Sequence, residues 1–300
     1  MWKEKQWLGH VAALVTACGW GLTFVASTIL LQSFSPFELP IFRFILAILA
    51  LYLIYPKKMK KTTLRQELLF AGAGFCGVTL YFIAENFALL NTTASNVGVI
   101  VATAPVFTVL LVWIFLKGER PSKIFFLGFA LAIFGIALIS FSDIHIQLSP
   151  LGDLLAMLAA LCWGFYSVFL KKISAWGHHT IQVTRRVFLY GLLFFTPAMF
   201  FTDFQWGFER FAITSNLVSI LLLGLGASAG GYVLWNFALK RLGPVKTTVY
   251  VYLIPLVTLV ASVLILGETI TWIQICGIAL ALLGVIISNG GLGRKKGLKS

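Results

Sequence analysis

The side chains in this sequence that could do chemistry are few, and each sits in apolar surroundings. Glu85 lies in AENFALLNTTASN, the run from Ala84 to Asn96. An isolated carboxylate inside a segment of hydrocarbon length costs a few kcal/mol, so something must justify it. Desolvation disfavours its charged form, which would let it bind and release a proton near neutral pH. Arg43 lies roughly six residues into a neighbouring apolar stretch and Glu85 roughly six residues before the end of its own, each about 9 Å deep at about 1.5 Å per residue. The depths match. Glu85 therefore reads either as a site for a proton or a substrate amine, or as the structural partner of Arg43; a pair that opens and closes would serve both roles.

Other groups fall on the same stretches. Asn96 and Thr103 are seven residues apart, on nearly one face of a continuous helix. Pro105 and Pro255 fall mid-stretch, where a proline removes a donor and frees the carbonyls of Val101 and Val251, either for a polar ligand and a hinge or as a static kink. Trp20, Trp163, Trp235, Tyr81 and Tyr252, with Tyr232 and Tyr250, offer aromatic surface, and Trp20 and Trp163 are deep. Arg185 and Arg186 would either attract an anionic group or snorkel towards lipid headgroups.

Several chemistries are excluded. His10, His145, His178 and His179 are not deep in any stretch, and no two acidic residues share a membrane site. Serine, aspartyl or zinc catalysis has no constellation here. Cys18, Cys76, Cys162 and Cys276 lack metal-ligand spacing and read as small packing residues. No Gly-rich nucleotide loop is present. The expectation is no enzyme, no metal and no cofactor.

The elements that must position these groups are apolar helices. Hydrophobic residues make up 59% of the 300 residues and charged residues 11%, against about 25% charged in soluble domains; the mean hydropathy is +0.95. Ten stretches of about 20 residues are long enough to cross a bilayer: 7–31, 37–55, 68–90, 94–116, 122–142, 151–170, 180–201, 215–239, 245–266 and 270–289. Their connections leave no room for a soluble catalytic domain. In lipid each stretch must satisfy its own backbone, so the fold class is an all-α integral membrane protein.

The net charge of +13 does not point to nucleic acid, because of where it lies. Lys57, Lys58, Lys60, Lys61, Arg65, Lys117, Arg120, Lys123, Lys171, Lys172, Lys240, Arg241 and Lys246 alternate onto one side with Lys3, Lys5 and the tail Arg294, Lys295, Lys296 and Lys299. The opposite connections carry Arg210 among Glu38, Asp143, Asp153, Asp203, Glu209 and Glu268. The positive-inside rule then puts both termini in the cytoplasm. The first stretch follows a basic start but is too long for a signal peptide and lacks a clear cleavage site.

The chain also echoes itself. Gly9 aligns with Gly152, Trp20-Gly21 with Trp163-Gly164 and Arg43 with Arg186. Asn86-Phe87-Ala88-Leu89 aligns with Asn236-Phe237-Ala238-Leu239, then Val101 with Val251 and Pro105 with Pro255. Gly118-Glu119 aligns with Gly267-Glu268, Gly128 with Gly277 and Gly135 with Gly284. Each half holds five stretches, an odd number, so the second copy enters the membrane upside down, as in secondary transporters built around a midplane site. Trp235 occupies the position of Glu85, which leaves Arg186 without a carboxylate at matching depth. Gly226 and Gly230, with Gly72, Gly74 and Gly77, read as close-approach residues around a central cavity. Gly128, Gly135, Gly277 and Gly284 would pack stretches five and ten, within or between protomers.

The Trp-Gly pair, the mid-stretch proline, and the runs GERPSKIFFLGFALAIFGIALI from Gly118 and GETITWIQICGIALALLGVII from Gly267 resemble an EamA domain, present twice. The chain is thus similar to the drug/metabolite transporter superfamily across nearly its whole length. The resemblance implies ten transmembrane helices in two inverted repeats, 7–142 and 150–290, with a basic cytoplasmic tail at 291–300. It further implies a secondary transporter exporting small organic metabolites such as amino acids across a bacterial inner membrane, with a passive channel or lipid translocase as the alternative. The expected partners are a small-molecule substrate and the lipid bilayer, with no nucleic acid, in a monomer or homodimer.

Overall fold

The structure, a computed structural model, describes residues 6–117, 120–141, 150–242, 247 and 249–290. Lys3, Lys5, Gly118, Glu119, Asp143, His145, Lys246 and the basic tail at 291–300 lie outside the described residues. Within them every regular element is helical: α1 (Gln6–Leu30), α2 (Glu38–Ile54), α3 (Leu64–Gly74), α4 (Tyr81–Asn91), α5 (Ala94–Val101), α6 (Ala104–Leu116), α7 (Lys123–Phe141), α8 (Pro150–Ser174), α9 (Thr180–Phe195), α10 (Ala198–Phe201), α11 (Thr214–Leu221), α12 (Tyr232–Leu242), α13 (Leu253–Ala261) and α14 (Trp272–Gly290).

Local sequence explains where these helices start and stop. The Thr63 hydroxyl accepts from the Gln66 amide while the Gln66 side chain accepts from the Thr63 amide, a reciprocal cap that starts α3 four residues earlier than the apolar pattern suggested. Thr93 caps α5 through the Asn96 amide at 3.2 Å. Left-handed turns close the segments ending at Lys117 (φ 50°) and Gly267 (φ 69°).

Some helices are interrupted inside rather than at their ends. A π turn, Phe75–Leu80, joins α3 to α4, and a longer one, Leu222–Gly231, joins α11 to α12. The chain between Ala94 and Leu116 breaks at Ala102 and Thr103, where the Thr103 amide turns back to the Ile100 carbonyl at 3.0 Å. A 3₁₀ turn, Val249–Tyr252, precedes α13 at the corresponding place in the other half. Such irregular turns cluster at functional sites.

Among the described residues, five stretches are long and apolar enough to cross a bilayer: Gln6–Leu30, Leu64–Asn91, Ala94–Leu116, Pro150–Ser174 and Thr214–Ala238. Lys123–Leu138, Tyr250–Leu266 and Trp272–Ser288 are shorter and apolar. The outer faces are hydrocarbon: Leu53 is 85% exposed and Phe201 87%. A belt of large apolar residues on that scale belongs against lipid.

Glycines set the tightest contact. A Cβ on Gly128 would lie 2.5 Å from the Gly284 carbonyl oxygen, and one on Gly135 2.6 Å from that of Gly277. α7 and α14 therefore run antiparallel with touching backbones inside this chain. Gly226 and Gly230 do not serve the role expected of them. An added Cβ would meet only the side chain of Leu222 at the first and the Leu225 carbonyl of the same turn at the second. The π turn rotates the face: Gly224 meets Leu46 of α2 and Gly231 meets the Trp20 indole instead.

Polar contacts tie the ends of the bundle. At one end Glu38 accepts from Arg210 at 2.9 Å and from the Gln205 amide at 2.7 Å, fastening the segment after α10 onto the start of α2. There too Glu268 receives the Ala94 amide at 2.9 Å and the Ser95 hydroxyl at 2.5 Å, at the N-terminus of α5 where a carboxylate is favoured. At the other end Arg185 donates to the carbonyls of Tyr55 (2.9 Å) and Lys57 (2.8 Å) and lies 3.8 Å over the Tyr52 ring. Arg186 pairs with Glu67 at 3.6 Å. That corrects the expectation that Arg186 lacks a carboxylate: the first turn of α3 supplies one.

Candidate solute-binding cavity

Two of these interruptions, the break at Ala102 and the 3₁₀ turn before α13, reach one cavity with an interior space of about 80 Å³. α1 supplies Trp20, Thr23 and Phe24; α2 supplies Arg43; α4 supplies Tyr81, Phe82 and Glu85. The break in the chain between α5 and α6 brings Val101, Ala102, Ala104 and Pro105 to the wall. α8 adds Trp163, α12 adds Tyr232 and Trp235, the turn into α13 adds Val251, and α13 itself adds Ile254.

The wall is mainly aromatic. The Trp20 ring lies 5.8 Å from Trp163 at 78°, 5.7 Å from Tyr232 and 5.0 Å from Trp235, while Trp163 also meets Tyr81 at 5.6 Å. The edge-to-face contacts of Trp20 with Trp163 and Tyr232 fix ring orientation. Trp20 Nε1 donates to the Ala227 carbonyl at 3.1 Å, so the π turn before α12 also sets the angle of the central indole.

Two charges are set into this wall. Glu85 is 2% exposed and Arg43 3%. They do not form the ion pair that their matching depths suggested: their charged atoms stay more than 4.0 Å apart. Arg43 Nε donates to the Ser228 hydroxyl at 2.7 Å, and its guanidinium lies 4.3 Å over the Phe82 ring. Tyr81, one helical turn before Glu85, places its hydroxyl towards the carboxylate.

Of the residues singled out by type and spacing, Trp20, Arg43, Tyr81, Glu85, Pro105, Trp163 and Trp235 line the cavity, whereas Asn96, Thr103, Tyr252 and Pro255 do not. Asn96 sits in the first turn of α5, donating to the Thr92 hydroxyl at 3.1 Å. The Thr103 hydroxyl folds back on the Ile100 carbonyl at 2.6 Å. The common face assumed for them needs one continuous helix, and the break at Ala102 removes it. The Tyr252 hydroxyl donates to the Val285 carbonyl of α14 at 3.3 Å. Pro105 is in the first turn of α6, where its missing donor costs little, rather than in a helix middle.

Sequence reasoning passed over Ser228, Phe82 and Thr23. For Ser228 the one signal was a hydroxyl within the small-residue run LGLGASAGGY. The cavity also pairs residues at corresponding positions of the two echoing halves: Trp20 with Trp163, Phe82 with Tyr232, Glu85 with Trp235, Val101 with Val251 and Ala104 with Ile254. Residues 7–141 and again 150–290 match the EamA-like transporter family. The chain belongs to that family.

EamA relatives align along almost the full chain. A probable terminal-alkyne amino-acid exporter of Streptantibioticus cattleyicolor is 29% identical over 95% of each chain. A probable amino-acid metabolite efflux pump of Escherichia coli is 28% identical over 96% of this chain and 97% of its own. A transporter of Archaeoglobus fulgidus is likewise 28% identical, over 93% and 96%. A solved crystal structure, 18% identical, covers 93% of this chain and 95% of its own at a TM-score of 0.66, which shows the same fold. This EamA protein is therefore a multi-pass membrane transporter of the drug/metabolite superfamily and not an enzyme.

Proposed function

We propose that this protein is a secondary transporter that exports small organic metabolites such as amino acids across the bacterial inner membrane by alternating access. The observation that carries the reading is the cavity walled by corresponding residues of both halves, with one carboxylate and one guanidinium set into it. In this reading the chain crosses the membrane ten times as two inverted five-helix repeats, 7–142 and 150–290, with both termini in the cytoplasm. The inversion makes the two halves interchangeable in shape, so exchanging their conformations moves the opening from one face to the other.

The interrupted helices give that exchange its joints. The break at Ala102–Thr103 and the 3₁₀ turn before α13 let the wall bend where it meets solute. The Glu38–Arg210 and Glu268–Ser95 contacts close one face, and the Arg185 contacts close the other. In this reading Glu85 couples transport to protons, its proton occupancy changing as Arg43 moves relative to it. The working unit is a monomer or homodimer in lipid, with a small molecule as its only cargo.

The test is made in cells. Expression is expected to speed efflux of a preloaded, radiolabelled amino acid and to raise tolerance to toxic amino-acid analogues. Unchanged efflux and tolerance across a broad panel would contradict amino-acid export.

A further inference from the structure

The cavity wall contains two buried atoms that the protein itself leaves without a hydrogen-bond partner: Oε1 of Glu85 and a terminal nitrogen of Arg43. Nearly all buried polar atoms in proteins are partnered, so two exceptions of opposite charge in one cavity call for a common explanation. Pairing with each other is the obvious way to satisfy both, and attraction in a low-dielectric wall favours it. The arrangement works against that. Ser228 and the Phe82 ring hold the guanidinium aside, and Arg43 and Glu85 both line the one cavity without meeting as an ion pair.

We infer that Glu85 and Arg43 form a two-point clasp for a zwitterion, the carboxylate receiving the ligand's ammonium and the guanidinium its carboxylate. The inference rests on the cavity being the solute site, as proposed above, and names what that site selects. A lone cation would satisfy Glu85 and leave Arg43 a second positive charge for company; a lone anion would do the reverse. A zwitterion satisfies both and adds no net charge. The guanidinium also offers a carboxylate the planar, forked donor geometry that suits it.

The rest of the wall reads the side chain. Trp20, Trp163, Trp235 and Tyr232 present apolar ring surface, and Arg43 and Glu85 are the charged residues of the lining. A ligand with a second carboxylate would place it against ring faces, which are electronegative. The selected class is thus neutral amino acids with apolar side chains, in preference to acidic ones.

Purified full-length protein and ligand pairs test this, with binding followed by the fluorescence of the cavity tryptophans. Phenylalanine and leucine are each compared with the amine lacking the carboxylate and the acid lacking the ammonium. The wild-type protein should bind each zwitterion at least tenfold more tightly than either one-ended analogue, a comparison that needs no variant to fold. Glu85→Gln should remove the advantage over the acid alone, and Arg43→Gln the advantage over the amine alone. Equal wild-type affinity for a zwitterion and one of its analogues would overturn the clasp. So would absence of binding by the whole set while proteoliposomes still move another solute, an outcome that leaves the transport reading standing. Tenfold zwitterion selectivity without transport of any solute would support the clasp and defeat the transport reading instead.

Discussion

At the scale of single residues, the two buried charges carry the account. Glu85→Gln is expected to preserve the fold at a cost of about 1–3 kcal/mol, below the 3–5 kcal/mol of a broken buried pair, because Arg43 keeps Ser228 and Phe82. In proteoliposomes the variant should lose the response to a pH gradient yet retain downhill solute exchange at saturating solute. A purely structural carboxylate behaves otherwise: replacing Arg43 by a neutral residue as well would restore both stability and pH-driven transport. That rescue would sink the coupling role. The type and setting of Glu85, Arg43, Trp20 and Trp163 were legible in the sequence, because a charge or indole deep in an apolar run announces itself. Ser228 was not. A serine among glycines and alanines reads as packing until the π turn before α12 is known to aim it at Arg43.

At the scale of elements, the sequence pattern located the helices well and their interruptions poorly. Apolar runs mark a helix but passed over the Thr63 cap that starts α3 before its run, and a π turn inserts no recognisable residue and shifts every later face. That shift explains why Gly226 and Gly230 miss their expected contact, and the break at Ala102 explains the same for Asn96 and Thr103. The α7–α14 seam kept its register because α7 and α14 are each uninterrupted, so a seven-residue glycine spacing maps onto one face. Substitution separates the two kinds of glycine. A Cβ at Gly284 would press into the Ala132 amide nitrogen and lie 2.5 Å from the Gly128 carbonyl oxygen, where backbone cannot yield, so Gly284→Val should lower stability by at least about 1–3 kcal/mol. At Gly226 the nearest atom is the Leu222 side chain at 3.5 Å, and Gly226→Ala should be neutral or gain up to about 1 kcal/mol from helix propensity. Thermal unfolding of the two variants in detergent reads the difference. Similar midpoints for both would mean that α7 and α14 are not packed backbone to backbone.

At the scale of the whole molecule, the internal echo was legible because tryptophans, prolines and an NFAL run recur in the same order in both halves. The contacts that fasten the ends were not. Glu38 with Arg210 and Glu268 with Ser95 join residues far apart in the chain, and no local pattern ties them. Those contacts matter because the proposed mechanism requires both faces to close over one cavity, never both to open. A carrier of this kind can drive its solute uphill; a pore lined by the same residues only lets it equilibrate. The direct measurement is the steady-state solute ratio across proteoliposomes holding the purified protein under an imposed pH gradient. The account predicts accumulation above the ratio expected at electrochemical equilibrium, collapsing when a protonophore removes the gradient. Rapid flux that settles at the equilibrium ratio, with or without the pH gradient, would contradict it.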